Sequence, residues 1–166
     1  MIKGVGSISL LIDSPLRDLA LALRTVGPET RAQINSATKS AAQPIWFDET
    51  RGRAGTRIQQ RALVNTTRVG VTSRNVILRA GGAGKLSSGT AIRDITDAAE
   101  WGAGAGKVIT SRSSKGKAYK RRLGNSFPRV GDGVIHGAAK QSIKRIASLW
   151  VQTARRTIHE ASEKVG

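Results

Sequence analysis

Residues 132–163 read DGVIHGAAKQSIKRIASLWVQTARRTIHEASE, and their spacing decides the fold. Ala139, Ile143, Ile146, Ala147, Trp150, Ala154, Ile158 and Ala161 recur at steps of 4, 3, 1, 3, 4, 4 and 3. That is the period of one helical face. Lys140, Lys144, Arg145, Arg155 and Arg156 fall mostly off it. The spacing predicts a C-terminal helix over 132–163 with Ile143, Ile146, Trp150, Ala154 and Ile158 as its core. A helix of about 28 residues is about 42 Å long. A small sheet cannot cover that length, so one end is expected to project or to pack on another subunit.

Working back from this helix, Phe127-Pro128 precedes it, and before that lies 102–126, GAGAGKVITSRSSKGKAYKRRLGNS. This segment is rich in Gly, Ser, Lys and Arg, and is expected to be a long flexible basic arm or loop. Ala91 to Ala99 suits a helical turn or an edge strand, with Ile92 and Ile95 as anchors. Val69 and Val71, then Ser73-Arg74-Asn75, then Val76 to Leu78 form a hairpin signal: two β-rich runs around a polar turn. Residues 48–57, DETRGRAGTR, read as a mobile loop. Pro28-Glu29 opens a helix carrying Ile34, Ala37, Ala41 and Ala42, and Pro44 ends or kinks it. Ser14-Pro15 starts an earlier short helix that Gly27-Pro28 stops, and Ile8 to Ile12 suits a short strand or arm. The sum is one α+β domain over 1–166. It has a small, mainly antiparallel sheet, the long C-terminal helix packed on it, an N-terminal helical segment and an inserted basic loop. Its parts are an extension and short helix (1–27), a helix and hairpin (28–100), the arm (102–126) and the final helix (132–163).

Composition narrows the function. The 166 residues hold 28 Lys+Arg against 11 Asp+Glu, a net charge of +17. Residues 1–100 have 14 basic and 8 acidic side chains; residues 101–166 have 14 and 3. No acid lies between Glu100 and Asp132. Such a surface calls for a polyanion or an acidic partner. There are no cysteines, which excludes disulfides, zinc–thiolate sites and Cys nucleophiles. The longest apolar run, Ile8 to Ile12, is far shorter than the roughly 20 residues a membrane span needs. It is also too short and broken for a secretory signal.

Catalytic chemistry is not legible. His136 and His159 lack acidic or thiol companions at metal-ligand spacing. Gly106-Lys107 fails the phosphate-loop pattern because Trp101 stands where its first Gly belongs and Val108 follows the Lys; Gly84-Lys85 fails it through Arg79 and Leu86. The scattered acids offer no catalytic pair. Neither an enzyme nor a cofactor is expected. The positive charges of the arm are Lys107, Arg112, Lys115, Lys117, Lys120, Arg121 and Arg122, seven in 16 residues. They suit contact with DNA phosphates or pairing with acids on a neighbouring subunit. Single-strand stacking needs several aromatics, and the arm has Tyr119 alone.

One further motif is Ala98-Ala99-Glu100-Trp101-Gly102-Ala103, in which Trp101 can plug an apolar gap while Gly102 turns the chain. The order is an Ala-rich helix from Ala32 to Pro44, a hairpin from Arg68 to Gly81, the Glu100-Trp101-Gly102 step, a variable loop, Phe127-Pro128 and the long helix. In that order the chain resembles the small tail-completion (neck) proteins of long-tailed bacteriophages, also described as minor tail or head–tail joining proteins. The resemblance covers roughly residues 28–163. It implies a non-enzymatic structural protein of the virion, made in the host cytoplasm. That protein would form a hexameric ring in the neck or at the head-proximal end of the tail. Its partners would be copies of itself, the adjacent connector and tail rings, and the DNA passing through the lumen, with no membrane. The rival reading is a basic nucleic-acid-binding protein.

Overall fold

The computed structural model of the chain describes residues 7–9, 21–113, 115–124 and 126–163. The expected helix start at Ser14-Pro15 and most of the Ile8 to Ile12 run lie outside them. Residues 21–25 are helical, and a strand, β1 (Ser7–Ser9), is present.

Helix α1 (Pro28–Arg53) starts as expected, with Gly27 at the cap, Pro28 in the first turn and Glu29 beside the positive end of the helix dipole. Arg31 reaches back to the preceding helical residues, donating to the carbonyls of Leu23, Arg24 and Val26, each at 3.0 Å. A cation on terminal carbonyls closes that short segment.

Pro44 does not end α1, and the loop expected over 48–57 is helical as far as Arg53. The reason is tertiary. Ile34, Thr38, Ala42, Trp46 and Thr50 repeat at steps of four and are all buried, whereas Pro44 lies on the exposed side. A proline inside a helix costs about 3 kcal/mol, and full burial of an indole and its neighbours is of that order or larger.

Helix α4 (Val134–Glu163) has 30 residues. It lies antiparallel along α1: Arg53 meets Gly137, and Glu49 pairs with Arg145 at 3.6 Å. Between them Gln141, its amide oriented to satisfy both neighbours, donates to Glu49 at 3.0 Å and accepts from Arg53 at 3.1 Å. Its buried line is Ala138, Ser142, Ile146, Trp150, Ala154 and Thr157. Ile143 and Ile158, expected at the centre of the face, flank this line and are half-buried. The buried residues of both helices recur about once per turn, so each presents an apolar stripe to the other. The expectation of a projecting end rested on the sheet being α4's cover. Instead α1, with 26 residues, runs beside it.

The class is α+β. β2 (Arg68–Val71) and β3 (Val76–Arg79) form the expected hairpin, closed by Thr72 N–H donating to Asn75 O at 2.9 Å. β3 is central in the order β1-β3-β2, and both pairings are antiparallel. Val69 opposite Leu78 is buried, as is Val76. α1 is also hydrogen-bonded to this sheet. Gln43 accepts from Val69 N–H at 2.8 Å and donates to Thr67 O at 3.2 Å, and Trp46 Nε1–H donates to Arg79 O at 2.9 Å. The two Gln43 bonds satisfy groups along the outer strand β2, and the Trp46 bond satisfies a carbonyl at the end of the central strand β3.

Helix α2 (Arg57–Ala62) begins with a variant capping box. Thr56 Oγ1 accepts from Gln59 N–H at 3.2 Å, Gln59 Oε1 accepts from Gly55 N–H at 3.1 Å in place of the Thr56 N–H, and buried Gln59 donates onward to Ala99 O at 3.0 Å. That last bond ties α2 to α3 (Ile92–Trp101), which resolves the Ala91 to Ala99 segment as helix.

The segment expected as a flexible arm contains a second sheet: β4 (Val108–Arg112) and β5 (Ala118–Arg122), paired antiparallel. Its two inner-face pairs, Ile109–Arg121 and Ser111–Tyr119, are chemically mixed, so they give no apolar alternation to read. Gly116, at φ +80°, makes the turn, and Leu123 N–H donating to Lys107 O at 2.9 Å closes the base.

Candidate functional site

The sequence motifs converge where α3 ends and α4 begins. Glu100, the last buried residue of α3, is fully inaccessible. Its Oε2 accepts from Val134 N–H at 3.1 Å and Ile135 N–H at 2.7 Å, and its Oε1 accepts from His136 N–H at 2.9 Å. A helix leaves its first four N–H groups without internal partners. Here a carboxylate from another helix satisfies three of them and faces the positive end of the dipole. His136 Nδ1 lies 3.8 Å from Glu100 Oε1.

Two glycines make room for this cap. Gly102, at φ +81°, ends α3, and a side chain there would press on the Arg129 backbone. Gly133, at φ +78°, sits against the Glu100 carboxylate, where any side chain would collide. Gly133→Ala is therefore expected to cost about 2 kcal/mol from left-handed backbone strain and a displaced cap, lowering Tm by roughly 4–8 °C. Gly137 is the contrast: the atoms nearest a methyl there all belong to the Arg53 guanidinium. That group can swing away, and alanine gains about 1 kcal/mol of helix propensity. Thermal melts should place Gly137→Ala within about 1 kcal/mol of the parent.

The two motif segments also meet through backbone. Ala103 and Phe127 exchange hydrogen bonds of 3.1 and 2.7 Å, with the Phe127 ring buried. A shallow, open cleft of about 560 Å³ lies between Trp101–Gly104 and Ser126–Arg129, and includes Pro128. Trp101 does not plug an apolar gap. It is 43% exposed on the rim of this cleft, its ring centroid 5.1 Å from that of His136. Of the Glu100-Trp101 pair, the buried member is Glu100, a residue type that is mostly found on surfaces.

The predicted basic residues lie together on the β4–β5 hairpin. Lys107, Arg112, Lys115, Lys117, Lys120 and Arg122 are exposed. Arg121 is separated from them: it is half-buried, and its Nη1 donates to Thr90 Oγ1 at 2.9 Å. Arg112 leans over the turn toward Gly116 O at 3.5 Å. Val108 and Tyr119 are about half exposed, at 50% and 48%.

Sequence reasoning missed the long-range cap and the Thr56–Gln59 capping box. The box had a local signal, Thr-x-x-Gln. The cap had none, because donor and acceptor are 34–36 residues apart. Among the described residues, no group of three or more His, Asp or Glu side chains could hold a metal ion, and no helix is long and apolar enough to cross a membrane. No family model, curated protein or solved structure matches the chain.

Proposed function

We propose that this chain is a non-enzymatic structural protein of a tailed-phage virion. In this reading it is a subunit of a hexameric ring in the neck or at the head-proximal end of the tail, acting in tail completion or head–tail joining. The observation that carries the reading is the α3–α4 junction. Glu100, Gly102 and Phe127, which belong to the segments bearing the resemblance, all have defined contacts there. Their order along the chain thus corresponds to one packed unit. Trp101 on the rim and Tyr119 on the inner-face register of the hairpin are large apolar groups left exposed, and adjacent subunits or rings are the occupants this reading supplies.

The test is quantitative mass spectrometry of purified tailed particles, with and without the gene. About six copies per particle, and unjoined heads and tails when the gene is deleted, are the expected results. Absence from particles, or a single copy, would sink the proposal. The competing reading, a free-standing basic nucleic-acid-binding protein, draws on the cationic hairpin and predicts that absence.

A further inference from the structure

The hairpin sorts its cations into two groups. In an antiparallel ribbon, directly paired residues share a face. Val108–Arg122, Thr110–Lys120 and Arg112–Ala118 share one face, and all six residues are exposed. Ile109–Arg121 and Ser111–Tyr119 share the other, on which Ser111 is buried and Arg121 is held by Thr90. Arg112, Lys120 and Arg122 therefore point outward together. Lys107 at the base and Lys115 and Lys117 at the turn extend the surface. None of the ion pairs among the described residues involves these six side chains.

We infer that this face binds double-stranded DNA through its phosphates, without reading sequence. A protein partner fits less well, because interface centres are depleted in Lys and enriched in aromatics. Here the outer face offers only Val108 and Ala118 as apolar groups. Single strands bind through successive stacked bases, and the hairpin has one aromatic, Tyr119, on its inner-face register. A duplex meets the surface on its own terms. Five residue pairs span about 17 Å, and duplex DNA carries one charge per about 1.7 Å of axis. Each outward cation thus finds a phosphate within reach. The absence of any acid between Glu100 and Asp132 leaves no repulsive group in the segment. The inference stands on the hairpin alone, so it survives or fails separately from the virion reading.

The experiment is fluorescence anisotropy of the full chain with labelled duplexes of two unrelated sequences, over about 50 to 200 mM salt. Parent protein should bind both equally, with a log–log salt slope of about −3 to −5, a loss of roughly sixtyfold to a thousandfold across that range. Arg112→Gln, Lys120→Gln and Arg122→Gln together should make the slope shallower by about 2.7, three phosphates' worth. Arg121→Gln should leave the slope unchanged. Circular dichroism and thermal melts check that both variants keep the parent fold; if the triple variant does not, the three single variants, each expected to reduce the slope by about 0.9, replace it. Salt-insensitive binding, an unaltered slope in the folded triple or single variants, an equal effect of Arg121→Gln, or a preference for one sequence would each overturn the inference. Parent protein that ignores duplex but binds polyglutamate would overturn it too, and assign the face to an acidic protein.

Discussion

Glu100→Ala is expected to bring the chain close to unfolding under ordinary conditions. The substitution leaves the N–H groups of Val134, Ile135 and His136 without their acceptor, in a site where Val134 and Ile135 are buried. An unsatisfied buried donor costs about 1–3 kcal/mol, and bonds to a charged acceptor lie at the upper end. Three such losses come to about 4 kcal/mol or more, against a total stability of about 5–15 kcal/mol for a domain. Tm should fall by roughly 8–16 °C. Glu100→Gln should lose less, because the amide oxygen still accepts while its NH2 faces a backbone donor. Glu100→Asp, one methylene shorter, should not reach all three groups. Denaturant melts of the three variants should rank Gln as the least damaging. If Glu100→Ala melts like the parent, the cap contributes little and the junction is not what holds α4 in place.

Trp150→Asp is expected to abolish folding, and Ile146→Asp likewise. Both side chains are fully buried between α4 and α1, and an unpaired carboxylate there costs several kcal/mol on top of lost packing. Truncation alone, Trp150→Ala, removes about 3–5 kcal/mol. Trp150→Phe separates the two contributions. The indole N–H has no hydrogen-bond partner among the described residues, so phenylalanine removes an unsatisfied donor while leaving a smaller cavity. Its cost should be well below that of alanine. Lys144→Asp, exposed on the opposite side, should change stability by no more than about 0.5 kcal/mol. Urea titration with equal m-values across the folded variants checks this ranking. A soluble, cooperatively melting Trp150→Asp protein would contradict the buried face described for α4.

These expectations combine what was legible in the sequence with what was not. The β2–β3 hairpin was legible because its signal is local: β-branched runs around Ser73-Arg74-Asn75. Gly27-Pro28 marked a helix boundary for the same reason. The existence of α4 followed from its period, and Ile146, Trp150 and Ala154 were placed correctly in its core. Its phase was off by one position at Ile143 and Ile158, because Ser142 and Thr157 are small polar residues that composition does not assign to a core. Pro44 misled because the rule for proline states a local cost. It says nothing of the opposing gain when Trp46, two residues on, is buried against the sheet and α4. The hairpin cations were all named, but their division was hidden. Residue 121 follows residue 120 in sequence, and only strand pairing sends them to opposite faces.

The class, the long helix, the first hairpin, the positive charge and the segments that meet at the junction can all be read from the chain. Each of these depends on residues near one another in the chain, where period, turn chemistry and charge counts are sufficient. Only the folded packing makes α1 run through Pro44 to lie along α4. The same packing makes Glu100 a buried cap rather than a surface acid, stands Trp101 on a rim, and turns Arg121 inward to Thr90. Each of those outcomes is a comparison between a local preference and a contact made by residues distant in sequence. The local term can be read from the chain, but the contact term exists only once the helices and strands have been brought together.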